Sequence, residues 1–256
     1  MAKGRRSSDG HRLGCGINRL LIASPGVTTL PVIHKNDYRD PQSGRGGTIL
    51  IHRSIEEFSK ILGSKSPSPG GGSVSALVGA LGADLISMVC SLSIGNDKYK
   101  TSQDLLKESL EKAKILSTNL LKRVDLDSEA FNNVMAAFKM PKETEQEKRA
   151  RRDAIQAGFK EAVQSPLSIA SEFLGVLKLA ENLIGKFNSN AMSDFGVAAL
   201  QAHTGLEGAV MNVRINLPSI KDEQIVTETS QIVTHFLEEG SAIRDKVYTY
   251  VQDNLG

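Results

Sequence analysis

Ser66-Pro67-Ser68-Pro69-Gly70-Gly71-Gly72-Ser73 leads directly into Val74–Ile94, a run whose single charge is Asp84. A proline-stiffened, glycine-rich loop therefore opens a helix that is apolar nearly all round, predicted over residues 73–94 and stopped by Gly95-Asn96-Asp97. Such a helix is either the core of an all-helical body or a membrane span, and its length permits the latter. Asp84 near its middle, the repeated Ser and Gly and the lack of a second comparable segment argue for a core. The helix start presents backbone N–H groups and the positive end of the dipole, which suits an anionic ligand. The competing reading is a glycine turn needed only for tight packing.

Working outward, the other helices have clear punctuation. Ser54-Ile55-Glu56-Glu57 is a capping box that opens a short helix with Ile55, Phe58, Ile61 and Leu62 on one face. A long helix is predicted from Ser102 to Phe138, ended by Met140-Pro141. Thr144-Glu145-Gln146-Glu147 is a second capping box, and its helix runs to about Ile184, with a kink or break expected at Pro166. A small-residue helix follows over residues 191–213, and a last one covers residues 222–251. No strand-period segment or internal repeat competes. The expected architecture is all-α, a bundle of long, partly broken helices. Two separate small-residue helices imply two unusually close crossings, and a homodimer burying one of them is expected.

Composition narrows the partners. The 256 residues carry a net charge of +2, with no Trp and 5% aromatics. Residues 1–48 hold eight basic side chains (Lys3, Arg5, Arg6, Arg12, Arg19, Lys35, Arg39, Arg45) against Asp9, Asp37 and Asp40, a balance of +5 that leaves the body at −3. A nucleic-acid surface needs a basic stripe with stacking aromatics, which the body lacks. Residues 1–48 are expected to be a disordered or irregular basic leader, and residues 49–256 the helical domain. The leader has no apolar core of a secretory signal; an organelle transit peptide is the alternative. Two cysteines, Cys15 and Cys90, make neither a disulfide framework nor a metal site, so a reducing, cytoplasmic setting is expected, without a membrane.

One carboxylate stands out. Leu116, Leu120, Val124, Asp127, Phe131, Val134 and Phe138 recur at spacings of three and four on one helical face, and only Asp127 is polar. Burial there disfavours the charged form and moves the carboxyl toward the range useful for proton transfer. A buried Asp that caps or pairs with a cation of another helix fits equally well. Asp125 and Glu129 fall on other faces and read as solvated charges. Asn188–Asp194 is a second candidate, either a helix cap or a polar cluster facing the same cleft as the glycine loop. Lys98-Tyr99 and Lys142 follow helix ends, where a lysine can hold an anion. Arg149, Arg151 and Arg152 read as a solvated face, and His203 as structural. The histidines have no metal spacing, and no phosphate or dinucleotide fingerprint is present.

These pieces together resemble the cyclodeaminase/cyclohydrolase family of folate enzymes. The likeness is carried by Pro69–Val74, Ser87-Met88-Val89, Gly95, Lys98-Tyr99, Asp125-Leu126-Asp127-Ser128-Glu129-Ala130-Phe131, Pro141–Thr144, Ala162-Val163 with Pro166-Leu167, Asn188, Ser193-Asp194, Val197–Ala199 and Asn212–Leu217. The resemblance implies an all-α homodimer like the C-terminal domain of formiminotransferase-cyclodeaminase. It implies an enzyme acting on a tetrahydrofolate substrate, with no further cofactor and no metal. It puts the family's catalytic Asp on Asp127. Hydrolysis of 5,10-methenyltetrahydrofolate is preferred to cyclodeamination of formiminotetrahydrofolate, because 48 irregular residues leave no room for a fused transferase. A non-catalytic folate-binding or interaction protein is the remaining alternative. Gly70, Gly71, Gly72, Ser73, Lys98 and Lys142 are the expected anchors of the glutamate tail, with Tyr99 beside them, and Asn188 and Asp194 the expected pterin contacts. Phe187 departs from the family's Gly, and Asp84 from a small apolar residue.

Overall fold

The computed structural model describes residues 49–255, with the backbone alone described for residues 127–131. The proposed leader over residues 1–48 lies outside the described residues. Six helices follow in order: α1 (Ile55–Leu62), α2 (Gly71–Ser91), α3 (Gln103–Phe138), α4 (Glu145–Leu183), α5 (Met192–Asn216) and α6 (Glu223–Asn254). Short 3₁₀ turns occupy Leu50–His52, Asp97–Ser102, Ser189–Ala191 and Leu217–Ser219, and the described residues contain no strand. α2 packs on α3 and α5, α4 packs across the same pair, and α6 covers α4 and α5.

Both capping boxes form. Ser54 Oγ accepts the Glu57 N–H at 3.2 Å while Glu57 accepts the Ser54 N–H, and Thr144 and Glu147 repeat the exchange. α2 gives way to a turn in which Gly95 takes φ +81°, a left-handed conformation that favours glycine. The end of α3 is held by Arg151, whose Nε and Nη2 donate to Phe138 O at 3.3 and 3.1 Å. Arg151 is thus a C-terminal cap rather than a solvated charge. Phe138 is exposed at the end of its stripe, with its ring edge-on to Phe159.

Pro166 neither breaks nor ends α4, which continues from Glu145 to Leu183. Proline lacks the N–H that would bond Ala162 O. Asn216 on α5 supplies the substitute, its Nδ2 donating to that oxygen at 3.3 Å.

The two small-residue helices pack closely on each other within the chain. A Cβ on Gly82 would stand 3.1 Å from Ala198 O. The fully buried Phe173 ring of α4 wedges against this pair. A Cβ on Gly79 of α2 would overlap the ring, and one on Gly205 of α5 would stand 2.8 Å from it. Among the described helices, α2 is the one long and apolar enough to cross a membrane. Its Ala76, Ala80, Ala83 and Ile86 are fully buried in its own body. Cys90 is also buried there, and burial pushes its thiol up to about 11.

Candidate functional site

The start of α2, the middles of α3 and α4 and the end of α5 form one polar seam. α2 begins at Gly71, two residues earlier than its sequence pattern suggested, so Gly71, Gly72 and Ser73 are its first turn. Gly70 at the N-cap has no side chain with which to satisfy that turn. Ser73 Oγ instead donates to Val124 O of α3 at 2.8 Å in a buried bond. Val124 lies three residues before position 127, on the same side of the helix. The open end of α2 is therefore fixed beside the turn of α3 that carries Asp127, whose side chain lies outside the described residues.

Asp125 is not a solvated charge. Its Oδ1 accepts the Leu50 N–H at 2.6 Å, because the 3₁₀ turn Leu50–His52 folds over it, and its Oδ2 is buried with no partner. The side chain of Glu129 is outside the described residues.

Across from α3, α4 presents Glu161, Ser165, Ser168 and Glu172, spaced four, three and four along one helical face. The buried Arg123 of α3 donates to Ser168 Oγ at 2.8 Å and to Glu172 Oε1 at 3.2 Å. Burial pushes the Glu172 carboxyl up, against the opposing pull of Arg123. Ten residues along α3, Asn133 Nδ2 donates to Glu161 Oε2 at 3.1 Å. These ties set two antiparallel helices in register, with residues 127–130 across from residues 162–166. From α5, Asn212 donates to Gly208 O, and Asn216 to both Asn212 O and Ala162 O. The Asn212 amide lies against Gly71.

The remaining expected site residues lie elsewhere in the chain. Lys98, Tyr99, Asn188 and Asp194 surround the opposite end of α2, about 30 Å from Gly71 at 1.5 Å per residue. Tyr99 is buried, and its hydroxyl accepts the Ser189 N–H at 3.2 Å. Asn188 donates from Nδ2 to Leu92 O and accepts from the Asn190 N–H, so both ends of its amide are taken. It caps the 3₁₀ turn before α5, and neither Ser193, Asn190 nor Asp194 caps α5 itself. Lys98 is exposed, with Nζ 5.6 Å from the Tyr99 ring centroid. Lys142 is exposed in the α3–α4 link. Phe187, the departure from Gly, stacks on Phe195 with centroids 4.3 Å apart, while Gly185 at φ +73° makes the turn. Asp84 is exposed on the outer face of α2.

A family model described as formiminotransferase-cyclodeaminase matches residues 54–235. The chain belongs to the formiminotransferase-cyclodeaminase family. The methenyltetrahydrofolate cyclohydrolase of Methylorubrum extorquens is 39% identical over 204 residues, covering 80% of this chain and 98% of that protein. The formimidoyltransferase-cyclodeaminase of Gallus gallus is 36% identical over 205 residues, covering 79% of this chain but 38% of that protein. The crystal structure of formiminotetrahydrofolate cyclodeaminase from Thermotoga maritima matches with a TM-score of 0.67 and 27% identity, covering 80% of this chain and 96% of that one.

The sequence pointed to the α2 start and the Asp127 turn, which the Ser73–Val124 bond sets side by side, and it did not point to Arg123, Gln164, Ser165 or Glu172, which line the same seam. For Ser165 and Glu172 the polar four-three-four spacing on α4 was the available signal. It was hidden because Glu and Ser on a long helix read as a solvated face until the facing helix is known.

Proposed function

We propose that the protein hydrolyses 5,10-methenyltetrahydrofolate to 10-formyltetrahydrofolate, a step of folate one-carbon metabolism. The observation that carries this reading is the Ser73–Val124 bond, which sets the open start of α2 beside the Asp127 turn. Similarity spanning nearly the whole Methylorubrum extorquens cyclohydrolase supports it.

The chemistry asks for one acid–base group. Water attacks the cationic methenyl carbon, and Asp127 accepts its proton while its charge favours the cation. The carbinolamine then collapses: the carbonyl forms, the carbon–N5 bond breaks, N5 takes the proton from Asp127, and the hydroxyl proton leaves to solvent. The carbon stays at the formate oxidation level, so no redox partner is consumed and the folate is both substrate and carrier. The first turn of α2 faces the negative charge of the glutamate tail. Cyclodeamination is the second reading, favoured by the name of the Thermotoga maritima neighbour, with the same carboxyl protonating departing ammonia.

The outer faces of α2, its C-cap and α5 expose Leu81, Leu92, Val197, Leu200, Met211 and Ile215. A homodimer through this face completes the proposal, in a cytoplasmic setting. A two-fold axis near the middle of α2 brings the partner's Lys98 end toward the Gly70 end, joining the two groups of expected binding residues. Unchanged folate affinity in both Lys98→Ala and Lys142→Ala would remove the lysines from the site.

The first assay follows the near-ultraviolet absorbance of 5,10-methenyltetrahydrofolate with wild type and Asp127→Asn. Decay faster than buffer, lost in the variant, is expected. Gain of that absorbance from 5-formiminotetrahydrofolate with ammonia release would select cyclodeamination instead. Neither change would leave a binding protein.

A further inference from the structure

Among the described residues, four buried polar atoms without a partner lie along the α3–α4 seam: Asp125 Oδ2, Gln164 Nε2, Ser165 Oγ and Glu172 Oε2. The two carboxylate oxygens belong to groups already bonded through their other oxygen. Gln164 Nε2 and Ser165 Oγ are different. They are neutral groups on adjacent residues, and neither takes part in any of the ties that hold α3 to α4. Those ties lie on either side of them, Arg123 to Ser168 and Glu172 on one side and Asn133 to Glu161 on the other. The register puts Gln164 and Ser165 across from residues 127–130. They also adjoin Pro166, where the backbone already borrows a hydrogen bond from Asn216.

Buried polar groups in folded proteins are almost always hydrogen-bonded, so an orphaned pair at one place marks a missing partner. A folate offers surfaces of different character. The methenyl unit is a cation and wants a carboxylate. The glutamate tail is anionic and suits a helix start or a lysine. The edge of the pteridine is neutral, with a carbonyl acceptor, ring nitrogens and N–H donors side by side; it matches an adjacent neutral amide and hydroxyl better than the benzoyl–glutamyl amide, which offers one carbonyl and one N–H on opposite sides.

We propose that Gln164 and Ser165 bind the pteridine edge of the folate, holding the ring so that its one-carbon unit meets the Asp127 turn. This rests on the folate reading above and extends it to two residues of α4.

The test uses Gln164→Met and Ser165→Ala, which remove the polar atom and keep most of the shape. Binding of the unreactive 5-formyltetrahydrofolate is measured by calorimetry, and Tm is measured on ligand-free protein. Affinity should fall about tenfold in each variant, while Tm stays level or rises, because an unpaired buried polar atom is a burden to the free protein. Lower affinity without a lower Tm is the signature of a binding group. Affinity equal to wild type, or a Tm that falls along with affinity, overturns the proposal. Wild type that binds no reduced folate overturns the functional reading and this inference with it. Wild type that binds, with variants that bind equally, overturns the inference alone.

Discussion

The side-chain amide of Asn216 donates to the backbone oxygen of Ala162 at 3.3 Å, replacing the hydrogen bond that Pro166 cannot make. A 39-residue helix thereby passes through a proline without ending, because another helix supplies the missing donor. Asn216→Ala should cost about 1–2 kcal/mol, the usual penalty for a part-buried carbonyl left unpaired. Pro166→Ala restores the N–H, so the Asn216→Ala penalty should shrink in that background. Denaturant unfolding of the four proteins of this cycle measures the difference.

Phe173 sets the distance between three helices. Phe173→Ala should destabilise by about 3–5 kcal/mol through the cavity left behind. Gly79→Ala gains helix propensity of about 1 kcal/mol but drives a methyl into the ring, so the net change is expected to be destabilising. Phe173→Leu should relieve part of that clash, which equilibrium unfolding of the double variant would reveal.

Arg123 and Glu172 form a buried pair. Arg123→Met strands the carboxylate, and the expected loss is about 3–5 kcal/mol at neutral pH. Without the guanidinium, the Glu172 carboxyl is held further above its unfolded value. That cost is present at high pH and disappears as pH falls and the group protonates. Thermal melts at pH 7.5 and 5 should therefore show a gap that narrows in acid, and Glu172→Gln should rescue much of it.

His203 of α5 is buried against Ser241 Oγ at 3.1 Å, and burial followed by the nearby Arg244 pulls its pKa down, with Glu207 and Asp245 opposing. A lowered histidine favours the neutral ring in the folded state. Its contribution to stability is present above about pH 6.5 and is lost as pH falls through the lower folded value. Wild type should lose more Tm than His203→Gln between pH 7.5 and 5.5.

The exposed apolar face of α2 and α5 predicts association. Leu81→Asp together with Ile215→Asp should give a monomer in sedimentation, and Asp84→Ala should tighten the dimer by removing an exposed charge from that face. A wild-type monomer at micromolar concentration would remove the homodimer from the proposal.

The sequence by itself determined the helices and, to within a few residues, their ends. Capping boxes at Ser54 and Thr144, glycine at Gly95 and heptad-like apolar spacing act between residues within a few positions of one another, so they are written locally. It also singled out Asp127, because one carboxylate in an apolar stripe is a local contradiction that periodicity exposes. Tertiary structure alone decided which helix faces meet. Pro166 reads as a break until Asn216, fifty residues on, is brought to Ala162. Arg123, Gln164, Ser165 and Glu172 come together only when α3 and α4 are set in antiparallel register. Lys98 and Asn188 resembled neighbours of the glycine loop, yet the rigid rise of α2 holds them about 30 Å away within the chain. Local propensities fix elements because they act over a few residues. A site assembled from four helices depends on register, which only long-range packing and buried hydrogen bonds can set.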